Sequence, residues 1–350
     1  LPSAYDFELE KTVLRIRRDR CERVVLQLPE GLMRYACTLA LLIESFTDAT
    51  VVILADVTYG ACCIDDTTAK SIGAQLLVHY GHSCLIPIGE MDIEGSVLYV
   101  FVRINIDPER VAQCLLINFP ANSRLALVST IQFTGCLRAV KNQCGERLAI
   151  TIPQTKHLSS GEILGCTAPT LDHESVDAVV YVGDGRFHLE AMMIANPGLP
   201  AYRFDPYSQK FTKELYDNAR LIQARTNHIE IAKNNTKFWI LVVSALGKQG
   251  SPRIVQHLTE LFDRKHVNYI KVAMPELDPT SLLGSFADLF EGPAIFVHVS
   301  CPRLSTDWCS DETQIKAVFL NAYEAMVALG EATSDGINYP MQYYAYHTDQ

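Results

Sequence analysis

Short runs of apolar, mostly β-branched residues alternate with stretches of helical periodicity along most of the chain. The first run is Arg23–Gln27, and a helix-like stretch from Leu32 to Phe46 follows it. Each run is apolar nearly throughout instead of alternating with polar residues, which is typical of parallel strands covered on both faces. The order strand, helix, strand implies right-handed crossovers between neighbouring strands. The pattern therefore predicts an α/β protein built on parallel sheets.

The predicted strands fall into three sets. After Arg23–Gln27 they are Thr50–Ala55, Gln75–Tyr80 and Val97–Val102; then Leu125–Ser129, Leu148–Ile152, Ala178–Val182 and Ala201–Phe204; then Phe238–Ser244, Val267–Val272 and Ala294–Val299. The third strand of each set ends in a related way, in the segments LLVHYGHSC, VVYVGDGRF and IFVHVSCPR. These endings indicate a repeat of about 110 residues. We therefore predict three related α/β domains, at residues 1–120, 121–225 and 226–350, with a charged linking helix near residues 220–236.

Composition and charge exclude several classes of protein. The chain has 350 residues, of which 48% are hydrophobic and 20% are charged, as in a soluble globular protein. Its net charge of −10 argues against sequence-blind binding to nucleic acid, which requires the neutralisation of phosphates. The longest apolar candidate for a membrane span, Leu39–Ile43, stops at Glu44, well short of the roughly 18 residues required. We expect neither a nucleic-acid partner nor a membrane.

The cysteines carry the strongest chemical signal. Eleven of them are scattered along the chain without a CxxC pair, which favours reduced thiols inside the cell over a disulfide framework. Cys62, Cys166 and Cys301 each follow an apolar strand-like run and stand beside turn-forming residues. In parallel α/β sheets, ligands bind beyond the carboxyl ends of the strands. These three residues are therefore the candidate ligands of one metal centre.

Alternative ligand sets remain open at this stage. Cys62 and Cys63 are adjacent, and we expect one of them to be a ligand and the other a bystander. A zinc site that combines His82 and Cys84 with one of these two cysteines is a further possibility. Structural zinc, however, requires four ligands, whereas a 4Fe–4S cluster held by three thiolates leaves one iron open. Three cysteines without a fourth therefore favour the iron–sulfur cluster.

Three polar segments are candidates for binding a small ligand near this centre. In GDGRFH, the glycines beginning with Gly183 let a ligand approach the backbone. Asp184 suits a ribose or an amine, and either Arg186 or His188 suits a carboxylate. Arg303 places a cation next to Cys301, and a guanidinium can clamp a carboxylate in two places. The loop GKQGSP lacks the spacing of a nucleotide-binding P-loop, but Gln249, Gly250 and Ser251 in it could hold a small polar ligand.

Taken together, the motifs resemble a known family. From about Tyr5 to Tyr344, the ordered set is similar to the eukaryotic 2-(3-amino-3-carboxypropyl)histidine synthases, subunit 1, of the first step of diphthamide biosynthesis. No motif is specific alone, whereas the ordered set is specific. The motifs that carry the resemblance are DVTYGACC, HYGHSC, STIQF, GEILGCT, GDGRFHLE, AYRFDPYS, GKQGSP and CPRLSTDW.

The resemblance implies a fold and a cofactor. Members of the family have three related α/β domains in a pseudo-threefold triangle around a central cavity, and each domain gives one cysteine to a 4Fe–4S cluster. By motif match the ligands here are Cys62, Cys166 and Cys301, with Cys62 chosen over Cys63 because archaeal relatives carry a single cysteine at that point. The open iron engages S-adenosylmethionine, for which the residues of the three polar segments named above are the candidate contacts.

The resemblance also implies a reaction and partners. Reductive cleavage of S-adenosylmethionine yields a 3-amino-3-carboxypropyl radical, which is added to a histidine of translation elongation factor 2. The family works in the cytoplasm as a heterodimer with a related subunit 2 and receives electrons from a donor protein. Two alternatives are an enzyme of the quinolinate synthase kind, in which the open iron is a Lewis acid, and a non-catalytic scaffold subunit. The intact set of three cysteines argues against the scaffold.

Overall fold

The computed structural model describes residues 1–55, 63–81, 91, 93, 97–235, 238–245, 251–274, 278–286, 293–307 and 317–341. The fold is α/β, as the sequence predicts, with three separate sheets that are mainly parallel. The chain forms two compact units, Leu1–Tyr216 together with Met341, and Asp217–Pro340. In the described ranges, no helix is both long enough and apolar enough to cross a membrane.

The first sheet, in the first unit, has four parallel strands in the order β3-β2-β4-β5. Leu39 and Ile43 of helix α2 and Ile16 of α1 pack on one face, and Ala69 of α3 packs on the other. A short antiparallel pair, β1 with β6, accompanies this sheet. The elements are β1 (Tyr5–Asp6), α1 (Leu9–Asp19), β2 (Arg23–Gln27), α2 (Ala36–Phe46), β3 (Thr50–Leu54), α3 (Asp66–Ser71), β4 (Leu76–Tyr80), β5 (Val97–Val100) and β6 (Arg103–Ile104).

The second sheet lies in the same unit and has five strands in the order β11-β10-β9-β7-β8. Four strands are parallel, and the edge strand β11 is antiparallel to β10. Helices α4 and α5 cover one face, because Leu115 and Leu137 share a core with Leu125 and Val180. The elements are α4 (Pro108–Asn118), β7 (Arg124–Ser129), α5 (Thr134–Cys144), β8 (Ala149–Thr151), β9 (Ala178–Val182), α6 (Phe187–Ala195), β10 (Ala201–Asp205) and β11 (Lys210–Glu214).

The third sheet forms the centre of the second unit and has four parallel strands in the order β13-β12-β14-β15. Helices α7, α8 and α11 contribute Ile229, Leu258 and Ala325 to the core on one face, whereas Leu282 of α9 packs on the other. The elements are α7 (Asn218–Lys233), β12 (Phe238–Ser244), α8 (Pro252–Arg264), β13 (Asn268–Met274), α9 (Pro279–Phe286), β14 (Ala294–Val299), α10 (Pro302–Asp307), β15 (Ala317–Asn321) and α11 (Ala322–Ala328).

The strands predicted from apolar runs all occur, with ends that differ by one or two residues. Four strands lacked a clear signal, namely the two-residue strands β1 and β6 and the longer strands β11 and β15. The apolar run of β15 continues directly into α11, so that no turn separates the strand from the helix. Asn321, the last residue of β15, caps the start of α11 with a capping box. The sequence of β11, KFTKE, mixes polar and apolar residues because this strand lies at a sheet edge.

The predicted helical stretch 32–46 is divided into a 3₁₀ turn at Glu30–Tyr35 and helix α2. The division into three domains stays a prediction.

A buried ion pair joins α7 to α11 in the second unit. The Arg225 guanidinium of α7 donates two hydrogen bonds of 2.6 Å to the Glu324 carboxylate of α11, and a third to the Phe319 carbonyl of β15. Both side chains are almost fully buried, at 2% and 0% exposure. The hydroxyl of Tyr339 donates a further bond to Glu324, at 2.7 Å. Because every partner is buried, the loss of one charge leaves the other without compensation.

We predict that Arg225→Met lowers the free energy of unfolding by about 3–5 kcal/mol, the usual cost of leaving one member of a buried ion pair alone. Arg264→Met is the matched control, because Arg264 pairs with Glu331 at the surface, where the two side chains are 58% and 34% exposed. This control should cost less than about 1 kcal/mol. Urea unfolding of both variants measures the difference, and equal costs would show that the buried pair contributes nothing special.

Candidate functional site

Cys166 lies at the tip of a tight turn that is attached to the carboxyl end of β7. The segment before it pairs with the end of that strand, because the Ser129 N–H donates to the Gly161 carbonyl at 2.8 Å and the Ile163 N–H donates to the Ser129 carbonyl at 3.0 Å. Leu164 and Thr167 then exchange backbone hydrogen bonds of 2.9 and 3.3 Å around Gly165 and Cys166. Within the described residues Cys166 forms no disulfide and is only partly buried, and its sulfur lies 3.6 Å from the hydroxyl oxygen of Thr167. The turn therefore presents a thiol at the carboxyl edge of the second sheet.

Gly165 connects this turn to the neighbouring GDGR loop, Gly183–Arg186. A Cβ atom at position 165 would lie only 1.9 Å from Cε1 of Phe187, the first residue of α6. A side chain at this position would displace the ring, so that glycine allows the close approach. Cys166 and the GDGR loop are therefore neighbours at one edge of the sheet, and the structure brings together two of the segments that the sequence singled out.

Tyr181 supports the backbone of the GDGR loop from below, by packing against Gly183 and by a hydrogen bond to Asp184. A Cβ at Gly183 would lie 2.4 Å from the hydroxyl of Tyr181, which packs beneath the loop and donates to the Asp184 carbonyl at 3.2 Å. Burial raises the pKa of this tyrosine well above its ordinary value. The glycine thus makes room for Tyr181, a reason that the sequence did not reveal. The side chain of Asp184 is exposed.

Arg186 is partly committed within the protein. It donates from Nη1 to Glu214 at 3.0 Å, from Nη2 to the Leu215 carbonyl at 2.8 Å, and from Nε to Glu190 at 3.4 Å. These contacts use three of its five N–H groups. The sequence pattern did not single out Glu214, because this residue lies 28 positions away on an edge strand and belongs to no motif.

In the second unit, Cys301 precedes helix α10 at the carboxyl end of β14. The thiol is free, and backbone N–H groups of Arg303 and Leu304 point to its sulfur. Burial raises the pKa of the Cys301 thiol, and the two N–H groups together with the Arg303 charge act in the opposite direction. Arg303 is only 2% exposed and donates from Nε to Asp307 at 2.9 Å. Ser251, also buried, stands directly before α8.

At the first sheet, the structure describes the residue that follows the predicted ligand. Cys63 is buried, and its carbonyl accepts a hydrogen bond of 2.8 Å from Nε2 of Gln27. The Oε1 atom of Gln27 lies 2.9 Å from Nδ1 of His79, which is therefore the protonated nitrogen of that ring. The predicted site residues Cys62, Gln249 and Gly250 lie outside the described residues, as do His82 and Cys84 of the zinc alternative.

The described residues suit a cluster in their chemistry, although they do not complete a site. Cys166 and Cys301 are reduced cysteines at carboxyl ends of sheets, and cysteine thiolates are the ligands of iron–sulfur clusters. Within the described part of the chain, no three His, Cys, Asp or Glu side chains lie close enough together to hold a metal ion. The predicted set includes Cys62, which is not among these residues, so the three-cysteine centre stays a prediction.

His298 occupies a recurring position near these loops. His79, Tyr181 and His298 stand next to last in the strands β4, β9 and β14, and each is buried. The first two form hydrogen bonds with other residues at the same sheet edge. The Nδ1 atom of His298 has no hydrogen-bond partner among the residues that the structure describes. Burial lowers the pKa of His298 to about 4. The imidazole is therefore neutral at pH 7.

We predict that His298 makes the fold sensitive to mild acid. The unfolded chain binds a proton near the ordinary pKa of 6.5, whereas the folded chain excludes it down to about 4. Stability is therefore lost as the pH falls from 6.5 towards 4, by about 2 kcal/mol between pH 7 and pH 5. In urea unfolding, the free energy of unfolding of His298→Asn should fall by about 2 kcal/mol less than that of the wild type between pH 7 and pH 5. His257→Asn, at an exposed position, is the control and should behave like the wild type. An unchanged pH dependence in His298→Asn would contradict the prediction.

Comparison with known proteins places these features in a family. The model of the family described as putative diphthamide synthesis protein matches residues 28–340. The chain is 46% identical over 345 residues to the human protein named 2-(3-amino-3-carboxypropyl)histidine synthase subunit 1, covering 99% of this chain and 76% of the relative. It is 45% identical over 352 residues to the Schizosaccharomyces pombe protein of the same name, covering 99% and 78%.

Solved structures agree at the level of the fold. The crystal structure of Dph2 from Pyrococcus horikoshii superposes with a TM-score of 0.73 at 22% identity, over 96% of this chain and 94% of that chain. A second crystal structure of the same protein, described as containing a 4Fe–4S cluster, superposes equally well. On the extent of the family match and the identity to the relatives, the chain belongs to the diphthamide synthesis protein family.

Proposed function

We propose that the chain is the catalytic subunit of the enzyme for the first step of diphthamide synthesis. It transfers the 3-amino-3-carboxypropyl group of S-adenosylmethionine to a histidine of translation elongation factor 2. The observation that carries this proposal is the identity of 45–46% over 99% of the chain to relatives named 2-(3-amino-3-carboxypropyl)histidine synthase subunit 1. The presence of all three predicted cysteine ligands supports a catalytic role over that of a scaffold.

In this proposal, Cys62, Cys166 and Cys301 hold a 4Fe–4S cluster. Cys166 and Cys301 are reduced cysteines whose residues are only partly buried, as ligation of a cluster requires. Cys63 is the bystander, which accords with its burial and with the fixation of its carbonyl by Gln27. When bound, such a cluster would supply one electron and an open iron position, which is the chemistry that cleavage of the carbon–sulfur bond to the γ-carbon and release of methylthioadenosine require.

The protein then selects the bond by geometry and not by acid or base chemistry. A sulfonium has three carbon–sulfur bonds, and the one that lies nearest the electron source is the one cleaved. The residues proposed to fix this orientation, by binding the carboxylate, the amine and the ribose, are Gly183, Asp184, Arg186, Gln249, Gly250, Ser251 and Arg303. Arg303 is the residue best suited to the carboxylate, because a guanidinium donates two parallel hydrogen bonds.

The proposal also assigns partners and a compartment. The chain pairs with the related subunit 2 as a heterodimer, and an electron-donor protein reduces the cluster. The reaction takes place in the cytoplasm, where thiols stay reduced and elongation factor 2 is found. A net charge of −10 suits a protein substrate with basic surfaces.

We predict that Cys62→Ala, Cys166→Ala and Cys301→Ala each abolish stable cluster binding, because two thiolates do not replace three. Anaerobic reconstitution followed by iron and sulfide counting measures this, with methylthioadenosine release on reduction as the assay of activity. Cys144→Ala, in the core of the second sheet, is the control and should retain iron. Retention of iron and activity in all three ligand variants would refute the assignment.

We predict that Arg303→Ala weakens the binding of S-adenosylmethionine by roughly 10- to 100-fold while the iron content stays that of the wild type. Because Arg303 is buried against Asp307, the alanine variant is also at risk of unfolding. Arg303→Lys keeps the charge without the planar fork and should show an intermediate loss. Equilibrium binding to the reconstituted, unreduced protein measures both variants. Unchanged affinity in a folded Arg303→Ala protein would exclude the role.

A further inference from the structure

One carboxylate organises the surroundings of the GDGR loop. Glu214, the last residue of the edge strand β11, lies between two arginines and is only 8% exposed. Its Oε2 atom accepts from Nη1 of Arg186 at 3.0 Å, and its Oε1 atom accepts from Nε of Arg203 at 3.2 Å and from the hydroxyl of Thr212 at 2.7 Å. Both oxygens of the carboxylate are therefore used within the protein.

The same network fixes the backbone of the loop. Arg203 also donates from Nη1 to the Gly185 carbonyl at 3.3 Å. The Gly183 N–H donates to the Phe204 carbonyl at 3.0 Å, and the Asp184 carbonyl accepts from Tyr181. Three successive residues of the loop are thus tied to the sheet. Such ties hold a binding group in place before the ligand arrives, which lowers the entropy cost of binding.

Removal of the Glu214 carboxylate would release both arginines. Arg186 and Arg203 would then be two neighbouring cations without their common anion, and they would repel each other. Arg203 is the more buried of the two, with a side chain that is 21% exposed compared with 46% for Arg186. We expect the bond to Gly185 and the position of Arg186 to change together, because both depend on the same carboxylate.

The loop presents opposite charges side by side. The exposed side chain of Asp184 is an anion, and two residues later Arg186 is a cation with N–H groups beyond the three used inside the protein. An adjacent anion and cation complement a zwitterion, in which an ammonium and a carboxylate are attached to the same carbon. This pairing distinguishes the amino-acid end of a ligand from its nucleoside end.

We propose that Glu214 is a positioning residue that sets the GDGR loop to bind the zwitterionic amino-acid end of S-adenosylmethionine. In this arrangement Asp184 accepts from the ammonium, and Arg186 donates to the carboxylate that Arg303 is also proposed to bind, since a carboxylate has two oxygens that accept hydrogen bonds. The inference rests on the proposed function for the identity of the ligand. The network of hydrogen bonds around Glu214 does not depend on that ligand.

The first arm of the test requires no cofactor. Hydrogen exchange of the backbone amides at residues 183–187 is compared among the wild type, Glu214→Gln and Glu214→Ala. The matched control is Asp177→Asn, which removes a carboxylate of the same unit that pairs with Arg124 at 44% exposure. We expect exchange at these amides to be roughly tenfold faster in Glu214→Ala, smaller changes in Glu214→Gln, which keeps one acceptor, and wild-type exchange in Asp177→Asn. Equal exchange in all four proteins would overturn the positioning role.

The second arm measures binding to the reconstituted, unreduced enzyme. S-adenosylmethionine is compared with methylthioadenosine, which has the nucleoside but lacks the amino-acid end. We expect Glu214→Ala to weaken the binding of S-adenosylmethionine roughly tenfold and to leave that of methylthioadenosine unchanged. Glu214→Gln, which keeps the shape of the side chain, should show the same selectivity with a smaller loss.

The outcomes separate the inference from the proposed function. If Glu214→Ala loses affinity equally for both compounds, or for neither, the inference is overturned. In that case the proposed function still stands as long as the wild type binds S-adenosylmethionine. A wild-type enzyme that does not bind S-adenosylmethionine would refute the proposed function and the ligand assigned to the loop. That failure appears in the wild type alone, whereas failure of the inference appears only on comparison with the Glu214 variants.

Discussion

The parallel pairing of the central strands is the constraint on which the rest of the molecule depends. Parallel neighbours all end at the same edge of a sheet, so the chain must leave each sheet there and cross back through a helix. In the first unit, this edge gathers the Cys166 turn, the GDGR loop and the end of β7. In the second unit, Cys301 leaves β14 at the equivalent edge. The topology thus places Cys301 at a strand end, whereas backbone hydrogen bonds with Ser129 bring the Cys166 turn to the end of β7.

Topology does not fix the conformation of the loops, which depends on local hydrogen bonds and packing. Beneath the GDGR loop, Tyr181 supports the backbone, and Glu214 holds the two arginines beside it. In the second unit, Arg225 and Glu324 join α7 to α11 through a pair that is almost entirely buried. Groups of this kind add little net stability compared with an apolar core, but they specify one arrangement.

The sequence predicted the features that repeat with a short period. Buried strands such as β9 and β14 are continuous apolar runs, and the residues that follow them were found from that position alone. The sequence did not reveal contacts between distant positions, such as Arg186 with Glu214 or Arg225 with Glu324, which are 28 and 99 residues apart. It also missed β15, because its apolar run passes into α11 without a turn. Pairing of charges across the fold leaves no periodic signal in one sequence.

The central claim is that three cysteines from distant parts of the chain hold one 4Fe–4S cluster and leave a single iron open to S-adenosylmethionine. Mössbauer spectroscopy of protein reconstituted anaerobically with ⁵⁷Fe tests this most directly. The account predicts one iron site of the cluster whose parameters change when S-adenosylmethionine is added, while the other three stay as they were. A cluster in which no iron responds to S-adenosylmethionine, or a protein that assembles no cluster, would contradict it.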